Sequence, residues 1–149
     1  IGDGRGLAAA LMLGAHGALI GTRFYASTEA LGHDRAKQRI AGANSDETAR
    51  TRVFDVVRGY SWPPAYDGRA LRNRFFERWH GHEAELSAAL ENETPAYRNA
   101  AADGDIDTVV IWAGEVVDLI DRVEDAPALV ARISAEAETH LRRGSALVA

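Results

Sequence analysis

Five residues near the start of the chain combine bare backbone with a hydroxyl and a cation: Gly2, Gly4, Gly21, Thr22 and Arg23. Glycine lets a backbone N–H approach a ligand closely, and N–H groups in the first turn of a helix carry partial positive charge. Two glycine turns bracketing one helix and one short strand are therefore suited to hold an anion of phosphate type. Arg23 has two readings at this stage, reaching the anion or pairing with Glu29.

The elements that must position these groups follow from local pattern. Asp3 is a helix cap, and Leu7, Leu11 and Ala15 at i, i+4 and i+8 predict a helix over 4–13 that Gly14 ends. Residues 18–20, Ala-Leu-Ile between Gly17 and Gly21, are apolar but too short for a helix, so they predict a parallel strand buried on both faces. Thr22 then falls at the strand's carboxyl end, while His16 lies in the turn at the opposite, stabilising end. The expected fold class is α/β: the C-terminal part of a (β/α)₈ TIM barrel, its last strands and helices, with an additional mainly helical segment. A complete barrel needs roughly 250 residues, whereas the chain has 149. The expected division is 1–44 as the last β/α units with the phosphate loops, 45–108 as a helical insertion or cap, and 109–149 as helices packing back on the barrel.

Further along, 27–41 reads as a helical stretch interrupted near Gly32, and Ser45 or Asp46 caps a short turn. Residues 51–57 are rich in β-branched side chains and predict a strand or extended arm, which Pro63 and Pro64 keep from continuing. Helices are expected over 70–79, 83–90 and 96–102, the last opened by Pro95. Residues 109–112 are by themselves apolar enough for a strand. Pro127 begins a final helix over 126–143 with Leu129, Val130, Ile133, Ala137 and Leu141 inward, ended by Gly144.

Other chemistry-bearing residues have plainer readings. A dinucleotide fingerprint at Gly2, Gly4 and Gly6 lacks the preceding strand and the right spacing. His80 and His82 flank Gly81 without a third ligand at metal spacing, so they read as a surface turn and no metal site is expected. His33 beside Asp34 reads as a helix end. Trp62, Trp79 and Trp112 are core or pocket residues, with Trp112 beside Gly114 the one favoured for a pocket.

Composition bounds the class. The chain is 46% hydrophobic and 26% charged with net charge −5, and its cations are interspersed with acids, which argues against a nucleic-acid partner. No stretch has the apolar length of a membrane span. Zero cysteines excludes disulfides and fits a cytoplasmic setting.

The first 24 residues resemble the nitronate monooxygenases, also called 2-nitropropane dioxygenases. The resemblance rests on Gly2, Gly4-Arg5, the Leu/Ala-rich helix, Gly14-Ala15 and Gly21-Thr22-Arg23-Phe24. It continues through Glu29-Ala30, His33, Lys37, Ile40, Thr51-Arg52-Val53-Phe54, Arg69 to Asn73 and Ala113-Gly114. Ala36 departs from it, since the family often has an aromatic before the lysine. Over 109–112 the resemblance suggests a loop that leads into a helix over 116–120, rather than a strand. What the resemblance implies is FMN held without a covalent link and oxidation of alkyl nitronates by molecular oxygen. It implies a small-molecule partner, allows a homo-oligomer, and puts the catalytic histidine upstream of Ile1, so that the 149 residues alone are expected to be inactive. Two alternatives stand beside it: a related FMN or nucleotide-monophosphate barrel enzyme, of enoyl-reductase or inosine-monophosphate-dehydrogenase type, and a non-catalytic helical interaction fragment.

Overall fold

In the computed structural model, which describes residues 1–63 and 65–145 and only the backbone of Ser145, Asp3 is extended and its carboxylate accepts from the Gly6 N–H at 3.0 Å. That cap starts α1 (Gly4–Met12), and Gly14 leaves the helix end at φ 96°. The expected strand over 18–20 does not form. Residues 16–20 exchange no backbone hydrogen bond among the described residues, and Leu19 is 99% exposed. A strand exists only against a neighbour that takes its N–H and C=O groups, and the described residues place none beside this one.

The chain then turns through α2 (Thr22–Tyr25) and α3 (Asp34–Ala41). His33 caps α3, its Nδ1 accepting from the Arg35 N–H at 3.2 Å. Asn44, rather than Ser45 or Asp46, caps the next turn in a reciprocal box with Glu47. β1 (Thr48–Thr51) pairs antiparallel with β2 (Gly68–Leu71) in the register Thr48 to Leu71 and Thr51 to Gly68. The expected strand over 51–57 is thus mostly a helix, α4 (Val53–Arg58). Thr51 Oγ1 accepts from the Val53 N–H at 3.2 Å and bends the backbone out of the ladder. Pro63 lies in irregular backbone, and Pro64 lies outside the described residues.

The expected 70–79 helix starts only at residue 74: residues 70 and 71 belong to β2, and Asn73 takes the cap of α5 (Arg74–Trp79) by accepting from the Phe76 N–H at 3.0 Å. α6 (Glu83–Ala88) and α7 (Leu90–Ala102) follow, α7 running through Pro95 rather than starting at it. Phe54, Phe75, Trp79, Leu86 and Tyr97 from α4 to α7 bury one core. A second core joins Ala26, Ile40, Leu71, Ile111, Val117 and Ile120. Residues 111–113 reach it by running beside β2, the Leu71 N–H donating to Ile111 O at 3.0 Å and the Ala113 N–H to Arg69 O at 3.1 Å.

α8 (Ala126–Ser145) buries Leu129, Ile133 and Ala137 at i, i+4 and i+8. Val130, expected inward, is 54% exposed because it stands about 100° round the helix from that stripe. Gly144 lies within the helix instead of ending it. α8 lies against α1, and among the described residues no helix is long and apolar enough to cross a membrane. The chain is therefore a mixture of helix and strand in which helix dominates, and its sheet has two antiparallel strands among the described residues.

Candidate functional site

Gly21 and Thr22 open on a cavity of about 310 Å³ that Tyr25, Arg69, Trp112 and Gly114 also line. Gly21 is exposed, and a Cβ built on it would meet no atom within 4 Å, so the backbone there is open to an incoming group. Thr22 Oγ1 accepts from the Gly114 N–H at 3.0 Å and ties the α2 turn to the segment after residue 111. Arg69 brings the positive charge. Its guanidinium is aimed by Glu115 at 3.1 Å and by Thr48 Oγ1 at 3.1 Å. Burial raises the Tyr25 hydroxyl above its ordinary range, so it is a neutral donor in the wall.

Trp112 stands over Gly68, where a Cβ would come within 2.3 Å of the indole, and meets Phe54 edge to face at 6.0 Å. Its indole also borders a second cavity of about 420 Å³ that contains Asp55 and Arg58.

The other three residues singled out in the sequence lie elsewhere. Gly4 packs α1 on α8: a Cβ there would stand 2.2 Å from Glu136 Cβ and 2.5 Å from the Ala137 backbone nitrogen. Its N–H donates to Glu136 Oε2 at 2.9 Å, so the two free N–H groups at Gly4 and Gly6 are both held by carboxylates of this chain. Gly2 is buried, its Cβ position 2.5 Å from Val116 Cγ2. Arg23 is 1% exposed and takes neither expected partner. It donates to Ala26 O at 3.3 Å and Arg122 O at 2.8 Å and pairs with Glu124 at 3.4 Å, while Glu29 caps α8 through the Ala126 N–H at 2.8 Å. Burial pulls the Arg23 guanidinium below its ordinary range, with Glu124 opposing.

Tyr25 has no signal in the sequence, Arg69 and Gly114 enter it only through the family resemblance, and Trp112 only through the glycine nearby. Their approach rests on the pairing of β2 with residues 111–113, which has no local signature. Among the described residues no three His, Cys, Asp or Glu side chains could hold a metal, and His80 stacks on Phe76 at 4.5 Å in a turn that Gly81 makes at φ 84°.

Comparison with known proteins fits the glycine-rich start. A nitronate monooxygenase of Neurospora crassa is 31% identical over all of this chain and 39% of its own length. The structure of FabK from Thermotoga maritima superposes with a TM-score of 0.78 at 28% identity, over 99% of this chain and 45% of that one. A nitroalkane oxidase from Streptomyces ansochromogenes gives 0.73 at 26% identity, over 97% of this chain and 39% of that one. The chain thus spans less than half the length of each of these. Since the nitronate monooxygenase family model matches residues 1–136, and with them both glycine turns and the whole wall of the cavity that Gly21 and Thr22 open on, the chain belongs to that family.

Proposed function

We propose that this chain supplies the phosphate-holding part of an FMN-dependent enzyme that oxidises alkyl nitronates with molecular oxygen. The observation that carries the reading is the open Gly21–Thr22 turn on a cavity with Arg69 in its wall, in a chain of this family. The cavity of about 310 Å³ suits the phosphate end of the cofactor rather than all of it. The N–H groups of Gly21 and Thr22 would donate to the phosphate, and Arg69 would supply the local positive field that net charge −5 does not. Thr22 keeps its hydroxyl on Gly114, so the turn is held before any ligand arrives. Trp112, fixed over Gly68, closes one wall against water. When bound, FMN supplies the electron-accepting chemistry.

In this reading residues 1–24 belong to the closing units of a (β/α)₈ barrel. The run 18–20 becomes a parallel strand only beside the other barrel strands, and Gly2, Gly4 and Arg23 hold the scaffold behind the phosphate. The cavity is lined by no histidine or carboxylate, so this reading gives it the phosphate and places no general base in it.

The test is to express the protein, record its flavin absorption, and follow oxygen uptake with propane-2-nitronate. A yellow protein with nitronate-dependent uptake is expected of the full barrel, and loss of bound flavin in Gly21→Val. A colourless protein, or flavin retained unchanged in that variant, overturns the assignment.

A further inference from the structure

Tyr60, Trp62 and Tyr66 are 54%, 58% and 62% exposed, three large aromatics within seven residues that no core requires. With Trp112 they wall the cavity of about 420 Å³. The segment that carries them is tethered at both ends. The Tyr60 N–H donates to Asp55 O at 2.9 Å, Arg52 reaches Trp62 O at 3.4 Å, and Arg50 pairs with Asp67.

Asp55 lines the same space and is only 9% exposed. Its carboxylate makes no hydrogen bond or ion pair with any described residue and its oxygens keep some solvent access, which leaves the acceptor of a largely buried residue open to an aromatic-walled void. A buried carboxylate wants a donor. Arg58 decides what kind: its guanidinium lies 4.6 Å from the Tyr60 ring centroid, so that face already carries a cation and a second full positive charge is repelled. The donor that fits is a neutral N–H on a flat ring.

We infer that this second cavity binds a heteroaromatic ring bearing a neutral amino group, as adenine does, with the tyrosine and tryptophan rings stacking on its face and Asp55 accepting from the amine. Stacking on aromatic side chains tolerates any flat ring, so the carboxylate supplies the selectivity. The site shares Trp112 with the cavity at Gly21 and Thr22 but neither of those residues, and does not depend on the flavin reading.

Adenosine, which carries the amine and no phosphate, is the probe, and inosine, with a carbonyl in its place, is the control. Quenching of tryptophan fluorescence is titrated with each, in the parent protein and in Asp55→Ala and Trp62→Ala. Saturable binding of adenosine is expected, tighter than inosine by on the order of tenfold, the worth of a hydrogen bond to a charged group. Asp55→Ala, which leaves no side-chain acceptor, should abolish that preference and Trp62→Ala should weaken both ligands. Trp62 is exposed, so its variant keeps the test open should Asp55→Ala fold poorly. Equal affinity for the two nucleosides, a preference that survives Asp55→Ala, tighter binding of phenethylammonium than of adenosine, or no saturable quenching overturns the inference.

Discussion

Gly4→Ala and Gly21→Ala should part company, one destabilising the protein and the other only emptying its cavity. At Gly4 the new methyl would stand 2.2 Å from Glu136 Cβ, 2.5 Å from the Ala137 nitrogen and 2.8 Å from the Glu136 carbonyl carbon. Two of those atoms are α8 backbone, so rotating a side chain does not relieve them, and α1 has to move off α8. Overpacking of this kind costs about 1–3 kcal/mol. The same movement stretches the 2.9 Å bond from the Gly4 N–H to Glu136, and a hydrogen bond to a charged group is worth about 1.5–3 kcal/mol. Against both stands the better helix propensity of alanine, about 1 kcal/mol. The net loss is about 2–4 kcal/mol, which for a domain of this size is a fall in melting temperature of roughly 4–16 °C.

At Gly21 the methyl meets nothing within 4 Å, and φ −90° with ψ −72° is open to alanine. Stability should change by less than about 0.5 kcal/mol, while bound flavin falls. Calorimetry and the flavin absorbance of each variant check both halves. Gly4→Ala melting with the parent protein, or Gly21→Ala melting well below it, would refute the assignment of Gly4 to helix packing and of Gly21 to an open turn.

Gly68→Val should drive the Trp112 indole from its seat, since a Cβ there already meets the ring at 2.3 Å, and a red-shifted tryptophan emission with lower stability reports it. Glu124→Gln leaves Arg23 buried without its carboxylate and should cost about 3–5 kcal/mol in denaturant unfolding. The pH dependence of Glu124 follows from its depressed pKa: burial pushes the carboxyl up, but the hydrogen bonds and positive charges of Arg132 and Arg122 together outweigh it, so its contribution is full above the unfolded value of 4.5 and is lost as pH falls through the lower folded value. Asp55 has the opposite sign. Burial outweighs Arg58 and Arg52 and raises its carboxyl above 3.8, so ionising it penalises the folded state increasingly as pH rises through that range. Asp55→Asn should then stabilise the free protein at neutral pH and lose that advantage below about pH 4, where both forms are uncharged. Melting temperatures of the two proteins across pH 3–7 measure it, and a constant difference would contradict the burial argument.

Much of the scaffold was legible where the signal is local. The Asp3 cap, the Gly14 stop, the α8 stripe at Leu129, Ile133 and Ala137, the helix-end role of His33 and the turn at Gly81 each depend on residues within about one or two helical turns. The run over 18–20 shows the limit. Its apolar character says that it is to be covered, but hydrogen-bonding as a strand depends on a neighbour that these residues do not name. Likewise Thr51 carries β propensity and also the hydroxyl that starts α4, and only the paired position of β2 decides where one gives way to the other.

The site residues were harder for a related reason: glycine is selected by any close approach, whatever approaches. Gly4 faces a helix 132 residues along the chain and Gly21 faces open space, yet both sit before a helical turn and read alike. Arg23 shows the same ambiguity in charge, since its partners at Arg122 and Glu124 are about as far away in sequence as Gly114 is from Thr22. The positive end of α1 makes the point in energy. Its N–H groups favour an anion, and that preference is satisfied by whichever carboxylate or phosphate the fold brings nearest. Asp3 is written next to the helix and can be read, whereas Glu136 arrives only through the packing of α8. Once Glu136 is there, a phosphate at that helix end has to displace a bound carboxylate, whereas at the open turn of Gly21 and Thr22 no carboxylate holds the backbone, and Glu115, next to Gly114 in the chain, is engaged with Arg69.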